Sequence, residues 1–305
     1  MQQAVLVGIA TALTVIAGPV LLGLAGWVHA RRTPAVVPCN SPTRWDWKLS
    51  SASALLYTLA FNLTFFIQEL FLVLPKALVP GLRPTLFHNN HGWEGENPLA
   101  SLFQGTGASA TFVGGMACMW WLRCGAGRSP MLRLFLVWMA YCGCLMALPQ
   151  VAVGALSAGS DVGMAMEYLQ LGVATKTIVA VVALALIPPV ALWLGRRLLG
   201  LADDPARIAN ARARSRFIFQ LATSPALVAI ALILPFRVPR DWIEVVMVPA
   251  VVTVIGIAWI QAGAWRMEGV QAAGSRNASI AWPLLAVVLL LLVFQVVLRP
   301  GIHFY

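Results

Sequence analysis

Eight long apolar stretches, separated by short polar segments, organise the chain. They cover residues 4–28, 49–74, 101–122, 131–153, 164–187, 217–236, 242–264 and 280–298. An α-helix needs about 20 apolar residues to cross a hydrocarbon core roughly 30 Å thick. The pattern therefore predicts an all-α, polytopic transmembrane bundle of about eight helices, a single integral membrane domain over residues 1–305. The third stretch is the least hydrophobic. The fifth is long, and Pro188-Pro189 is expected to kink or end it before Trp193 and Arg196. The first has no basic residue ahead of it and is too long for a secretory h-region, so it is expected to remain as a first helix. There is no internal repeat and no low-complexity tract.

Composition agrees with lipid as the solvent. The chain is 60% hydrophobic and only 10% charged, against about 25% charged in soluble domains, and its mean hydropathy is +0.81. The net charge of +10 does not point to nucleic acid, because the basic residues lie in short segments between apolar runs. That distribution sets orientation instead. With the segment after the first run in the cytoplasm, that side holds fifteen Lys and Arg: Arg31, Arg32, Arg44, Lys48, Arg123, Arg128, Arg133, Arg196, Arg197, Arg207, Arg212, Arg214, Arg216, Arg266 and Arg276. The other side holds five: Lys76, Arg83, Arg237, Arg240 and Arg299. Both termini are then extracytoplasmic. Trp27, Trp45, Trp47, Trp120, Trp121, Trp193, Trp265 and Trp282 fall near the cytoplasmic edges, as an interfacial belt would. The expected location is a bacterial inner (plasma) membrane.

Two connecting segments carry more than a turn. Residues 200–216 form a basic cytoplasmic loop. Asp204-Pro205 has the form of an N-cap followed by proline at the first helical position, so 206–216 is expected to be a basic helix whose arginines meet anionic lipid headgroups. Residues 75–100 form an extracytoplasmic loop. In the third run, Gly105, Gly107, Ala108, Ala110, Gly114, Gly115 and Ala117 predict close helix packing, with Ala110 and Gly114 letting backbones approach. Cys39, Cys118, Cys124, Cys142 and Cys144 include no C-x-x-C pair and read as reduced thiols that behave as small hydrophobes.

Candidate chemistry gathers on the extracytoplasmic side. The run His88-Asn89-Asn90-His91-Gly92-Trp93-Glu94-Gly95-Glu96 places His88, His91, Glu94 and Glu96 within nine residues. Imidazole and carboxylate together suit a divalent metal such as zinc, iron or manganese. One helical turn would aim His88 and His91 at one ion, and the glycines would let Glu94 or Glu96 complete the set. Glu69 lies well inside the second run, and an embedded carboxylate is by default a functional candidate. Asn62 shares its face and Thr58 continues it. In the fifth run Glu167 and Gln170 share a face, with Asp161 just before. On one regular helix Lys176 would lie opposite Glu167, so a partner for it is sought in Glu69 rather than Glu167.

These residues predict a shared pocket in which Glu69 and Glu167 act as catalytic carboxylates and His88, His91, Glu94 and Glu96 hold the metal. The corresponding function is a metal-dependent hydrolase acting on a lipid or peptide at the outer interface. Two other readings stand beside it. One is a proton-coupled transporter, which requires a polar path continuing past the midplane. The other is a non-catalytic subunit that docks membrane-protein partners through the Trp93 loop. There is no H-E-x-x-H and no Walker A motif. No predicted span carries a central histidine for bis-histidine haem, and four histidines are too few for a histidine-box desaturase.

Overall fold

The computed structural model describes residues 2–32, 45–125, 129–274 and 279–305. Cys39, Arg44, Arg128 and Arg276 lie outside the described residues. In chain order the elements are α1 (Gln3–Arg32) and α2 (Trp47–Ala77), strands β1 (Arg83–Leu86) and β2 (His91–Glu94), and the short α3 (Leu99–Phe103) and α4 (Thr106–Arg123). Next come α5 (Pro130–Leu156), α6 (Asp161–Tyr168) and α7 (Val173–Leu199). The last are α8 (Ala211–Arg237), α9 (Trp242–Gly263), α10 (Ala281–Leu298) and β3 (Ile302–His303).

Seven of these helices, α1, α2, α5, α7, α8, α9 and α10, are long and apolar enough to cross a membrane, and the chain is accordingly a multi-pass membrane protein. The third apolar run behaves differently from the other seven. It divides into α3 and α4, and α4 has 18 residues, about 27 Å of helix. Its glycines, threonines and terminal Arg123 dilute its hydropathy, so length alone makes it comparable to the others.

The bundle is built around α2 and α5, whose apolar windows are the most buried. Tyr57, Trp138 and Tyr141 meet edge-on at its centre. One line of polar side chains on α2 bonds across to other helices. Ser50 and Ser53 donate to the carbonyls of Gln220 and Leu221 at 2.9 and 2.6 Å, Tyr57 meets Thr253 at 2.7 Å, and Gln150 donates to Gln68 at 2.8 Å. Such bonds fasten helices where lipid supplies no hydrophobic drive.

Four local expectations change. Helix α4 approaches α5 through Gly115 rather than Gly114: a Cβ on Gly143 would lie 2.7 Å from the Gly115 Cα, whereas Gly114 faces outward with nothing near it. Of the two outcomes expected at Pro188 and Pro189, a kink or an end, the ending does not occur, and α7 runs through both to Leu199. The fifth run is broken ahead of it, where Gln170 takes φ 51° between α6 and α7. The break overturns the Lys176 expectation. The two helices are set independently, and Lys176 bonds Glu167 at 2.5 Å instead of reaching Glu69.

The basic segment after α7 is not one helix. A 3-10 turn (Pro205–Ile208) capped by Asp204 precedes a second cap, Asn210, which starts α8. Two of its arginines turn inward rather than to lipid. Arg207 bonds Asp203 at 2.9 Å and Gln220 at 2.7 Å, and Arg214 donates to the carbonyls of Ala264 and Trp265. Arg212 and Arg216 remain exposed.

Segment 75–100 is a structured cap. Strands β1 and β2 form an antiparallel hairpin that pairs Leu86 with His91 and Pro84 with Trp93. The C-terminal β3 adds to the other edge of β1, pairing Thr85 with His303. Gly95 holds φ 95° where any Cβ would run into the Gly81 carbonyl, so only glycine closes the hairpin base. At the other terminus Gln3 donates to the Ala155 carbonyl at the end of α5, next to α6. Both chain ends therefore sit at the capped end of the bundle.

Candidate functional site

The site forms where the last turns of α2 meet the hairpin. Glu69 and Lys76 are seven positions apart, so they share a face of α2, and both are buried, at 6% and 0% exposure. Successive side chains on a strand point to opposite faces. His91 and Trp93 on β2 therefore face the bundle together, their rings stacked 6.0 Å apart, while Glu94 faces away.

His91 lies between two oxygens. Its Nδ1 is 2.7 Å from Glu69 Oε2 and its Nε2 is 3.0 Å from Gln104 Oε1. With the Gln104 amide in that orientation Nε2–H donates to it, and Nδ1 either donates to an ionised Glu69, making the ring an imidazolium, or accepts from a protonated Glu69, leaving the ring neutral. With the amide turned over, its NH2 donates to Nε2 and the ring is neutral. The proton between Nδ1 and Glu69 can therefore sit on either residue while Nε2–H keeps its bond to Gln104 Oε1, and the turned-over amide matches the state in which that proton is lost and Nδ1–H donates to the carboxylate.

Charges crowd this pair. The Lys76 ammonium lies 4.2 Å from the centre of the Trp93 ring and has no hydrogen-bond partner. Asp161, first residue of α6, is half-buried. Burial pushes its carboxyl above the usual carboxylate range, Glu69 adds to the rise, and His91, Lys76 and Arg240 oppose it. On the other side of Glu69, Arg237 lies over the Phe65 ring at 4.4 Å with its Nε and one terminal nitrogen unpartnered.

The His88–His91 motif is divided by the hairpin. His88 sits at the tip, where Nε2 donates to the Val238 carbonyl at 3.1 Å. Asn89 beside it donates to the carbonyls of Arg237 and Pro239, and Arg240 donates back to the Asn89 carbonyl at 2.7 Å. The tip is thereby riveted to the α8–α9 connection. Burial holds the His88 ring's pKa below its ordinary value against the Val238 bond, and Arg299, Arg237 and Arg240 act in the same direction as burial.

Of the six residues singled out from sequence, the fold joins Glu69 and His91. His88 faces Val238. Glu94 and Glu96 are exposed. Glu167 is 55% exposed and bonded to Lys176. Among the described residues no group of three or more His, Cys, Asp or Glu side chains converges as a metal-ligand set. The one-turn helix expected to aim both histidines is a strand and its turn, which separates them. Lys76 and Gln104 were not anticipated. The seven-residue interval from Glu69 marks Lys76, but the apolar run stops at residue 74 and leaves Lys76 in the loop 75–100. Gln104 has no sequence signal, because only the chain reversal between α3 and α4 brings it to His91.

No protein-family model matches this chain, nor does any curated protein or solved structure, so its function must be read from this site.

Proposed function

We propose that this protein is a proton-coupled membrane carrier in which Glu69 and His91 form the proton site. In this reading all eight helices cross the bilayer of a bacterial inner membrane, and the hairpin cap and both termini face the extracytoplasmic side, as the Lys and Arg distribution favours.

The supporting observation is a line of buried polar residues on one face of α2. Thr58, Asn62, Glu69 and Lys76 are 0%, 1%, 6% and 0% exposed, and the line extends roughly 27 Å along the helix, past the middle of α2. Unlike the serine and tyrosine line that ties α2 to its neighbours, these groups do not fasten helices together. Thr58 and Asn62 bond back to the carbonyls of Ala54 and Thr58 on their own helix. Embedded polar groups are costly and characteristically line ion and substrate pathways. The hydrolase reading needs His88, His91 and a glutamate of the loop at one ion, and the hairpin geometry does not favour it.

Proton transfer runs between Glu69 Oε2 and His91 Nδ1, while Nε2–H stays bonded to Gln104 Oε1. Purified protein in liposomes on a solid-supported membrane tests this through charge displacement during pH jumps. A transient current is expected from both faces of the membrane in the wild type and should vanish in Glu69→Gln. Equal currents in the two proteins, or currents from one face only, would refute the carrier.

A further inference from the structure

We propose that the Lys76 ammonium is the docking point for the cargo, and that the cargo is an organic monocarboxylate. This deepens the carrier reading and rests on it. Lys76 is fully buried, and none of its three N–H groups has an acceptor. A buried ammonium without an acceptor is expensive, and the neighbouring Trp93 face returns only about 0.5–2 kcal/mol of that cost. A carboxylate supplies what is missing, because charge-assisted bonds of this kind are about twice as strong as neutral ones.

The surroundings define the class of anion. Glu69 and Asp161 act electrostatically on Lys76 without bonding it. Two carboxyl groups this near disfavour a dianion such as phosphate. A single positive charge balances a single negative one, and the Trp93 indole offers an apolar wall for a hydrocarbon or aromatic body. A cationic cargo would meet Lys76 itself.

The test is equilibrium binding of tritiated benzoate to the full-length protein in phosphatidylcholine nanodiscs, with benzamide and inorganic phosphate as competitors. The wild type should bind benzoate saturably. Benzamide and phosphate should compete weakly. Lys76→Met should bind about tenfold or more weakly, and Lys76→Arg should retain most of the affinity. Size-exclusion profiles check that each variant is folded. Wild-type affinity in folded Lys76→Met, no saturable benzoate binding by the wild type, or stronger competition by phosphate would each overturn the proposal. Binding requires no transport, so the two readings fail separately. Benzoate binding without proton currents defeats the carrier, and proton currents without benzoate binding defeat the docking point.

Discussion

The pairing of Glu69 with His91 makes a quantitative prediction that can be tested without knowing the cargo. The two atoms are 2.7 Å apart and the side chains are 6% and 7% exposed, so water cannot replace either partner. Replacing Glu69 with leucine leaves a buried ring N–H without its acceptor, a cost of about 1–3 kcal/mol, and more if the ring is charged. Replacing His91 with leucine leaves a buried carboxylate alone, which costs about 3–5 kcal/mol. Changing both residues removes the stranded group in each case. Gln104 loses its partner in both the His91 single and the double variant, so that loss cancels in the cycle. The double variant should therefore be more stable than Leu at position 91 alone, with a coupling energy of about 2–3 kcal/mol or more. Reversible unfolding in mixed micelles with increasing SDS, followed by circular dichroism, supplies the four stabilities. Single costs that add to within about 0.5 kcal/mol would mean that the pair is not coupled and that the proton site is wrongly built.

Other consequences follow from the packing and the cap. Gly143→Ala should destabilise the bundle by about 1–3 kcal/mol, because the added Cβ lies 2.6 Å from the Thr111 carbonyl oxygen and 2.7 Å from the Gly115 Cα; unchanged unfolding would show that α4 and α5 can separate freely. Tyr141→Phe should cost about 1–3 kcal/mol, since the buried hydroxyl serves the carbonyls of Val252 and Thr253 and accepts from the Ile257 N–H, an effect thermal denaturation would register. The lowered His88 pKa fixes the sign of a pH effect. The unfolded ring takes up its proton first as pH falls below about 6.5, so the stability His88 contributes is complete above that pH and is lost toward the folded pKa, at no more than about 1.4 kcal/mol per pH unit. His88→Asn should flatten that acid limb in a pH series of unfolding curves, and an unchanged limb would contradict the assignment.

Asp161 carries the opposite sign. Its raised pKa means that the folded state holds a proton the unfolded chain has lost, so its contribution is complete below about pH 3.9 and is lost as pH rises through the folded value. Asp161→Asn should remove this loss from the same pH series. A wild-type curve with the same neutral-side slope would exclude it.

The sequence determined the features that depend on solvent. Lipid accepts long apolar helices, so seven of the eight predicted runs are legible as spans. The same rule exposed Glu69, because a carboxylate in an apolar run is costly and needs a partner. Spacing along one helix also placed Thr58 and Asn62 on the face of Glu69. What the sequence could not decide was which groups meet. His88 and His91 look equivalent in the motif, yet strand alternation and the hairpin tip send one to Val238 and the other to Glu69. Lys176 looked opposite to Glu167 until the chain broke at Gln170. Lys76 counted only as a basic residue of the extracytoplasmic loop, whereas the fold buries it on α2 with the Trp93 ring beside it. Each of these outcomes depends on how the chain reverses, and a reversal sets partners that periodicity within one element does not encode. Span-forming character was therefore a local property, while the Glu69–His91 pair and the unpartnered Lys76 ammonium were decided by tertiary structure.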